Sequence, residues 1–262
     1  MSQLLDIEKI RKWSGSDLIY YREKIDSTNE WAKRESNFAE DGSIYLADYQ
    51  SAGKGRRGRV WKSPGDTSVA MSVLLRPKYL SKDSYPLMTL VMGLAAARGI
   101  SAACGFDAKI KWPNDVIYKG RKLCGILTEA GPDASYVVIG IGLNVNMTEF
   151  PEELADRAIS MRMATGKVQS RERVTAEVIR LFGEYYRIFC ETQDFSALKN
   201  NYEEILANIG QKVRVLDPAA PFTGTARGID LRGELLVERD DTHETERVFS
   251  GEVSVRGVYG YV

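Results

Sequence analysis

The sequence predicts an α+β fold, with strands and flanking helices over residues 1–207 and a small β-barrel module over residues 208–262. Three observations carry this expectation. Runs at 43–49, 68–75 and 136–146 are rich in aliphatic and aromatic residues and are bounded by turn formers, which is strand chemistry. Leu87, Leu90, Val91 and Leu94, and later Val174, Val178, Leu181, Tyr185 and Phe189, recur at helical spacing. After about residue 208 the composition shifts to short strands at 212–216, 222–229, 234–238 and 247–255, punctuated by Pro218, Pro221, Gly233 and Gly251. A length of 262 residues suits one large domain with a small companion, and the boundary is expected near Asn208.

Taken in order, Leu4, Leu5, Ile7 and Ile10 give residues 4–13 an amphipathic helical face, and a strand over 18–21 follows. Ser27 with Glu30 three residues later is a capping-box pattern, so a helix is expected to begin there. Ser27, Thr28 and Asn29 are either that cap alone or donors and acceptors offered to a polar ligand. Pro86 opens a helix through Arg98 that reads as core packing. Pro113 and Asn114 interrupt strand pairing and Lys119-Gly120-Arg121 turns the chain, so 108–118 and 122–129 form a hairpin. Asn114-Asp115 is turn chemistry in its simplest reading. Lys111, Asp115 and Lys122 in so short a hairpin are also what a metal–phosphate site would use.

Gly140 and Gly142 interrupt a buried strand, which marks a bulge or the close approach of a backbone or ligand. Asn144 either takes a polar contact or closes that strand. From 171 the chain is helical, with a second, shorter helix over 195–207, and both read as packing elements.

Lys+Arg and Asp+Glu balance at 36 each, so no global field draws the chain to DNA or an acidic membrane. Cys104, Cys124 and Cys190 are odd in number and lack any CxxC spacing, against both a disulfide framework and a zinc site. His243 is the single histidine and sits in an acidic, turn-like stretch, which argues against a His-based triad or metal cluster. No signal peptide and no apolar stretch of membrane-spanning length is evident, so a cytoplasmic location is expected.

The most distinctive stretch runs from Gln50 to Trp61 and holds Gly53, Gly55, Gly58, Lys54, Arg56, Arg57 and Arg59. Glycines let backbone N–H groups approach a ligand, and arginines offer planar forks to carboxylate or phosphate. The stretch reads as a mobile anion clamp, with a solvated basic loop or nonspecific nucleic-acid contact as the alternatives. It contains neither GxxxxGK[ST] nor a GxGxxG leading into a helix.

Seven separated segments together resemble the biotin–protein ligases, also called biotin–[acetyl-CoA-carboxylase] ligases. They are Ser27-Thr28-Asn29, the loop from Gln50 to Trp61 (GKGRRGR), Lys111 to Asp115 (KWPND), Lys122 to Leu127 (KLCGIL), Gly140 to Asn144 (GIGLN), and Gly228-Ile229-Asp230 with Gly251-Glu252-Val253. The ordered set covers the chain from about residue 19. The resemblance implies a mixed sheet with flanking helices, the class II synthetase-like catalytic domain of biotin and lipoate ligases, plus a small SH3-like β-barrel. Bifunctional members carry an N-terminal winged helix-turn-helix that represses transcription; with so little chain before the first strand, repressor activity is expected to be absent. Lys54 stands where the family commonly has arginine, which keeps the charge but loses the bidentate fork.

The activity implied is a two-step one: biotin and ATP with Mg²⁺ give biotinyl-5′-AMP, and a lysine of a biotin carboxyl carrier protein then displaces AMP. By this resemblance Ser27, Thr28, Asn29, Gln50, Gly53, Lys54, Gly55, Arg56, Lys122, Gly140 and Gly142 bind biotin. Arg56, Arg59, Trp61, Asn114, Lys122 and Asn144 bind the nucleotide, and Arg56, Lys111, Asp115 and Lys122 are the catalytic groups. Mg²⁺ is expected to be held mainly by phosphates, with no protein ligand assigned. The implied partners are the carrier domain and small molecules, without DNA or membrane, in a monomer or homodimer. The alternatives are a lipoate or octanoate ligase of the same fold and a non-catalytic biotin-binding module.

Overall fold

The computed structural model describes residues 4–62, 64–217, 220–250 and 254–257. The larger part begins with helix α1 (Ile7–Ser14), strand β1 (Ile19–Ile25), helix α2 (Thr28–Arg34), β2 (Ser43–Gln50) and β3 (Ser68–Leu75). There follow α3 (Leu87–Cys104), β4 (Lys109–Lys111), β5 (Asp115–Tyr118), β6 (Arg121–Ala130) and β7 (Val137–Asn144). Helices α4 (Glu152–Ala155), α5 (Met161–Thr165), α6 (Arg171–Thr192) and α7 (Lys199–Glu204) complete it. The smaller part holds β8 (Lys212–Leu216), β9 (Phe222–Ile229), β10 (Leu235–Arg239), β11 (Thr245–Val248) and β12 (Ser254–Gly257).

The first seven strands form one mixed sheet in the order β1-β2-β3-β7-β6-β5-β4. Only β1 and β2 run parallel; the other neighbours are antiparallel. Side chains alternate across a sheet, so β7 sends Val137, Ile139, Ile141 and Leu143 into the main core and leaves Val138, Gly140, Gly142 and Asn144 on the other face. The main-core face is covered by α3 and α6. Their approach is close enough that a Cβ on Gly99 would lie 2.9 Å from the backbone nitrogen of Val178. Each fully buried Leu of α3, such as Leu90 or Leu94, contributes roughly 1.5–3 kcal/mol. The other face carries α2, and there the pocket lies.

Strands β8 to β12 form an antiparallel sheet in the order β11-β10-β9-β8-β12. Among the described residues no β11–β12 pairing joins the two ends of this sheet. Val213, Val215, Ile229 and Leu235 join the same apolar cluster as Ile110 and Trp112. Trp112 ties the two parts: its backbone N–H donates to Asn208 Oδ1 at 2.8 Å and its indole N–H to the Gly233 carbonyl at 2.9 Å.

Several expectations are corrected. Ser27 does precede α2, but its side chain makes no capping bond, and Glu30 is drawn to Lys33 and Lys54 instead. The helix opened by Pro86 continues past Arg98 to Cys104, because alanines and Gly99 fit the close α6 contact, and it stops where Gly105 turns left-handed. The segment Lys82–Cys104 also meets the length and hydropathy of a membrane span; 67% of that window is buried inside the protein, which makes it a core helix. The hairpin at 108–129 is a three-strand meander, since β4 and β5 pair across Trp112-Pro113-Asn114, with the Trp112–Pro113 bond cis. The strand expected over 247–255 is two strands, β11 and β12. Pro218, Ala219 and the segment Gly251-Glu252-Val253 lie outside the described residues. His243 is exposed, and of the three free cysteines only Cys124 is fully buried.

Candidate active site

The N-terminus of α2, the loop after β2 and the paired strands β6 and β7 enclose one cavity of ≈ 50 Å³. Its lining brings together Ser27, Thr28, Asn29, Gln50, Lys54, Gly55, Arg56, Trp61, Asn114, Lys122, Gly140 and Gly142, all singled out in the sequence. Gly125, Ile126, Leu127 and Ile141 complete it. Gly125 lies directly opposite Gly142 across the β6–β7 ladder, and Leu127 opposite Gly140. This glycine floor holds the protein's own side chains. A Cβ on Gly140 would lie 2.1 Å from Asn29 Oδ1, and one on Gly142 2.1 Å from Trp61 Cε2.

A buried polar chain forms one wall. Thr28 donates from its backbone N–H to Gln50 Oε1 at 2.8 Å and from its hydroxyl to the same oxygen at 3.1 Å. Ser72 on β3 donates to Asn29 Oδ1 at 2.6 Å and lies 2.8 Å from the Thr28 hydroxyl. The Asn29 amide donates in turn to Glu129 Oε2 at 2.7 Å. Buried polar groups cost stability unless paired, and these are paired with one another.

The loop folds as a small hairpin. Trp61 N–H donates to the Gly53 carbonyl at 2.9 Å, Gly55 N–H donates to the Arg59 carbonyl at 2.7 Å, and Lys54 bridges Val60. A Cβ on Gly53 would collide with the Trp61 carbonyl at 2.3 Å, so the hairpin's base requires glycine. Arg56 turns inward: it donates to Asn114 Oδ1 at 3.0 Å and to the Ser250 carbonyl of the C-terminal part. Burial, then the charges of Arg57 and Arg59, lower the Arg56 pKa, yet a guanidinium stays protonated. Arg57 and Arg59 are exposed. Trp61 Nε1 is buried without a hydrogen-bond partner among the described residues.

Lys122 sits beside this loop, its Nζ 2.5 Å from Asp115 Oδ1 and 5.5 Å from the centre of the Trp61 ring. Lys111 faces Asp115 across the β4–β5 ladder and is 3% exposed. Burial brings its pKa down to about 8; Asp115 opposes this, while Arg256, Lys122 and Arg59 reinforce it. Lys111, Asp115, Arg59, Gly53 and Asn144 stand outside the cavity lining. The Asn144 amide is spent on the carbonyls of Lys122 at 3.2 Å and Ile159 at 3.4 Å.

Residues at 21–146 match the Biotin/lipoate A/B protein ligase family, and residues 209–256 match the Biotin protein ligase C terminal domain. The bifunctional ligase/repressor BirA of Bacillus spizizenii is 36% identical over 247 residues, spanning 92% of this chain and 74% of that protein. The chain belongs to the biotin protein ligase family. The biotin–[acetyl-CoA-carboxylase] ligase of Mycobacterium tuberculosis is 32% identical over 202 residues, spanning 76% of this ligase and 74% of its relative. Among solved structures, the biotin protein ligase of Aquifex aeolicus in complex with biotin and ATP superposes with a TM-score of 0.84 at 30% identity, covering 92% of this chain and all of that one.

The sequence reading missed several residues of the ligase's site. Ser72 carried a signal, being a hydroxyl in the middle of an apolar strand. Glu129 shares a face of β6 with Leu127 and Gly125, two and four residues before it. Ser250 and Arg256 come from the far end of the chain, either side of Gly251-Glu252-Val253 in the sequence, and no local pattern ties them to Arg56 or Lys111.

Proposed function

We propose that this ligase activates biotin with ATP to biotinyl-5′-AMP and then transfers biotin to a lysine of a biotin carboxyl carrier protein or domain. One observation carries the reading: a single cavity sets a polar wall of Ser27, Thr28, Asn29 and Gln50 against the cations Arg56 and Lys122. The wall suits a ureido ring, which needs paired donors and acceptors, and the cations suit the carboxylate and the α-phosphate it attacks. In this reading Gly53, Lys54, Gly55, Gly140 and Gly142 complete the biotin subsite. Arg59, Trp61, Asn114 and Asn144 belong with the nucleotide. The division into 1–207 and 208–262 is part of the same reading.

In the first step a biotin carboxylate oxygen bonds to the α-phosphorus while the bond to pyrophosphate breaks, pyrophosphate leaving with the electron pair. Two like charges about 4 Å apart repel by about 4 kcal/mol at an effective dielectric near 20. Arg56 and Lys122 offset that repulsion and the charge that builds in the transition state. Asp115 holds Lys122 over the pocket, and Lys111 adds positive charge behind it. In the second step the unprotonated amine of the carrier lysine bonds to the acyl carbon while the acyl–oxygen bond breaks, AMP leaving with the electron pair and the amine's surplus proton passing to solvent. No Ser, Cys or His nucleophile is required.

A space of ≈ 50 Å³ accommodates water rather than biotin with ATP. Ligand entry therefore requires the loop to lift and the Trp61 indole to leave Gly125 and Gly142. Closure over the acyl-adenylate then shields it from water until the carrier arrives.

Mg²⁺, when bound, neutralises phosphate charge. Among the described residues no three His, Cys, Asp or Glu side chains gather as a metal cage. The donor set fits an ion carried mainly by the ATP phosphates, with Asp115 the carboxylate at the pocket's edge. Balanced charge supports action without DNA, and the unpaired cysteines support a cytoplasmic setting.

The test is direct. Protein, biotin, ATP and Mg²⁺ are incubated and biotinyl-AMP is sought by mass spectrometry, with lipoate and octanoate as parallel acids. Adding an apo carrier domain tests transfer. Adenylate with lipoate or octanoate but not biotin would move the chain to the other ligase class, and none with any acid would leave a binding module.

A further inference from the structure

Lys54 lines the cavity, but its charge is not aimed at the cavity alone. Its Nζ lies 2.8 Å from Glu30 Oε1 on α2. The same carboxylate oxygen takes Lys33 Nζ at 3.0 Å, and Lys33 reaches Glu129 Oε1 on β6 at 2.7 Å. The row Lys54, Glu30, Lys33, Glu129 alternates in sign, and it ends on the carboxylate that Asn29 binds through Oε2. The Lys54 side chain is 50% exposed, while those of Glu30, Lys33 and Glu129 are 29%, 25% and 27% exposed, so water screens the Lys54 end of this row more than the rest.

The loop's hairpin geometry gives the contact its leverage. Lys54 bridges Val60, and the adjacent Gly53 carbonyl fixes the Trp61 N–H. Holding Lys54 against α2 therefore holds the limb that carries Trp61 to the floor and keeps Arg56 turned inward. Hydrogen bonds from both lysines lower the Glu30 pKa, so the carboxylate is charged at neutral pH.

We propose that Glu30 is a positioning residue for biotin activation: it latches the ligand loop to α2 through Lys54 and sets how readily the loop opens. Glu30 touches neither reacting group and acts through Lys54 on the loop. This rests on the site assignment above.

The test reads loop opening without substrate. Limited trypsin digestion, followed by mass spectrometry of the loop peptides, reports cleavage at Arg56, Arg57 and Arg59. Glu30→Gln and Lys54→Gln are each expected to speed that cleavage roughly threefold, the scale of a partly exposed ion pair. The double variant should cleave no faster than either single one, Lys54→Arg should cleave as slowly as the wild type, and high salt should bring the wild type toward the variants. In turnover, Glu30→Gln should raise the biotin KM more than it lowers kcat.

Wild-type cleavage rates in either single variant, or multiplying effects in the double, would overturn the latch. Lys54→Gln changes no helical residue, so it keeps the test valid if Glu30→Gln weakens α2. The digestion needs no ligand, so its failure leaves the biotin reading standing, and failure to form biotinyl-AMP leaves the latch standing.

Discussion

Trp61 fills the space that a side chain on Gly142 would need: a Cβ there would lie 2.1 Å from the indole Cε2. Gly142→Ala should therefore push the indole off β7 and displace the limb of the loop that carries it. We expect a red shift of Trp61 emission in the free protein, read against a Trp61→Phe background, and adenylate formation lowered on the order of 10-fold to 100-fold. Unchanged emission would mean that the indole does not rest on this glycine in solution.

Arg56 is the loop's inward hook, bonded to Asn114 and to the Ser250 carbonyl. In Arg56→Gly both bonds are lost while Lys122 remains. The variant should still form biotinyl-AMP but release it, so free intermediate accumulates and bystander proteins become biotinylated on exposed lysines. Retention of the intermediate as tight as in the wild type would remove Arg56 from the clamp role.

Lys111 gives the clearest pH signature. Its folded pKa is about 8 against an ordinary 10.5, burial being the main cause. Between those values the unfolded chain binds a proton that the native state has released, so stability rises with pH there, and below about 8 the cost of the buried ammonium is fully present. Urea titrations from pH 7 to 10 should show that rise, and Lys111→Met should flatten it. Pyrophosphate release should fall as the Lys111 charge is lost above about pH 8, an alkaline limb absent from the variant.

Asp48 on β2 and Arg171 at the start of α6 form a buried pair, with side chains 3% and 5% exposed. Tyr21 donates its hydroxyl to this carboxylate, and the Leu5 N–H donates at 3.2 Å. Asp48→Asn leaves the guanidinium buried without its counter-charge and should cost about 3–5 kcal/mol, measured by urea denaturation at pH 7. Lys122→Gln provides a contrast. Its pair is partly exposed, so it should lose adenylate formation with far less loss of stability.

How much of this was legible depended on the distance over which each signal acts. Strands β2, β3 and β7 announced themselves through unbroken apolar runs, and the basic glycine loop through its composition. The residues lining the cavity were recognisable as motifs because each short segment supplies its own part of the wall. The capping box located the start of α2 but not its bonding, because Glu30 found Lys54 and Lys33, partners better placed than the helix terminus. Arg56 reaching Ser250, or Arg171 reaching Asp48, joins points more than a hundred residues apart in the chain, where no local pattern operates. Residues 147–170 carried no reading because α4 and α5 are short and lack a full apolar stripe.

Gly125, Gly140 and Gly142 leave the floor of the pocket without side chains, so its depth is fixed by the course of the main chain. Acceptance of other acids can then be altered in one direction far more easily than in the other. A single added methyl group crowds Lys122, Asn29 or Trp61 and can only narrow the chamber. No substitution at these three positions can deepen it. An engineer seeking bulkier biotin analogues has to work from the roof, through the loop and its indole.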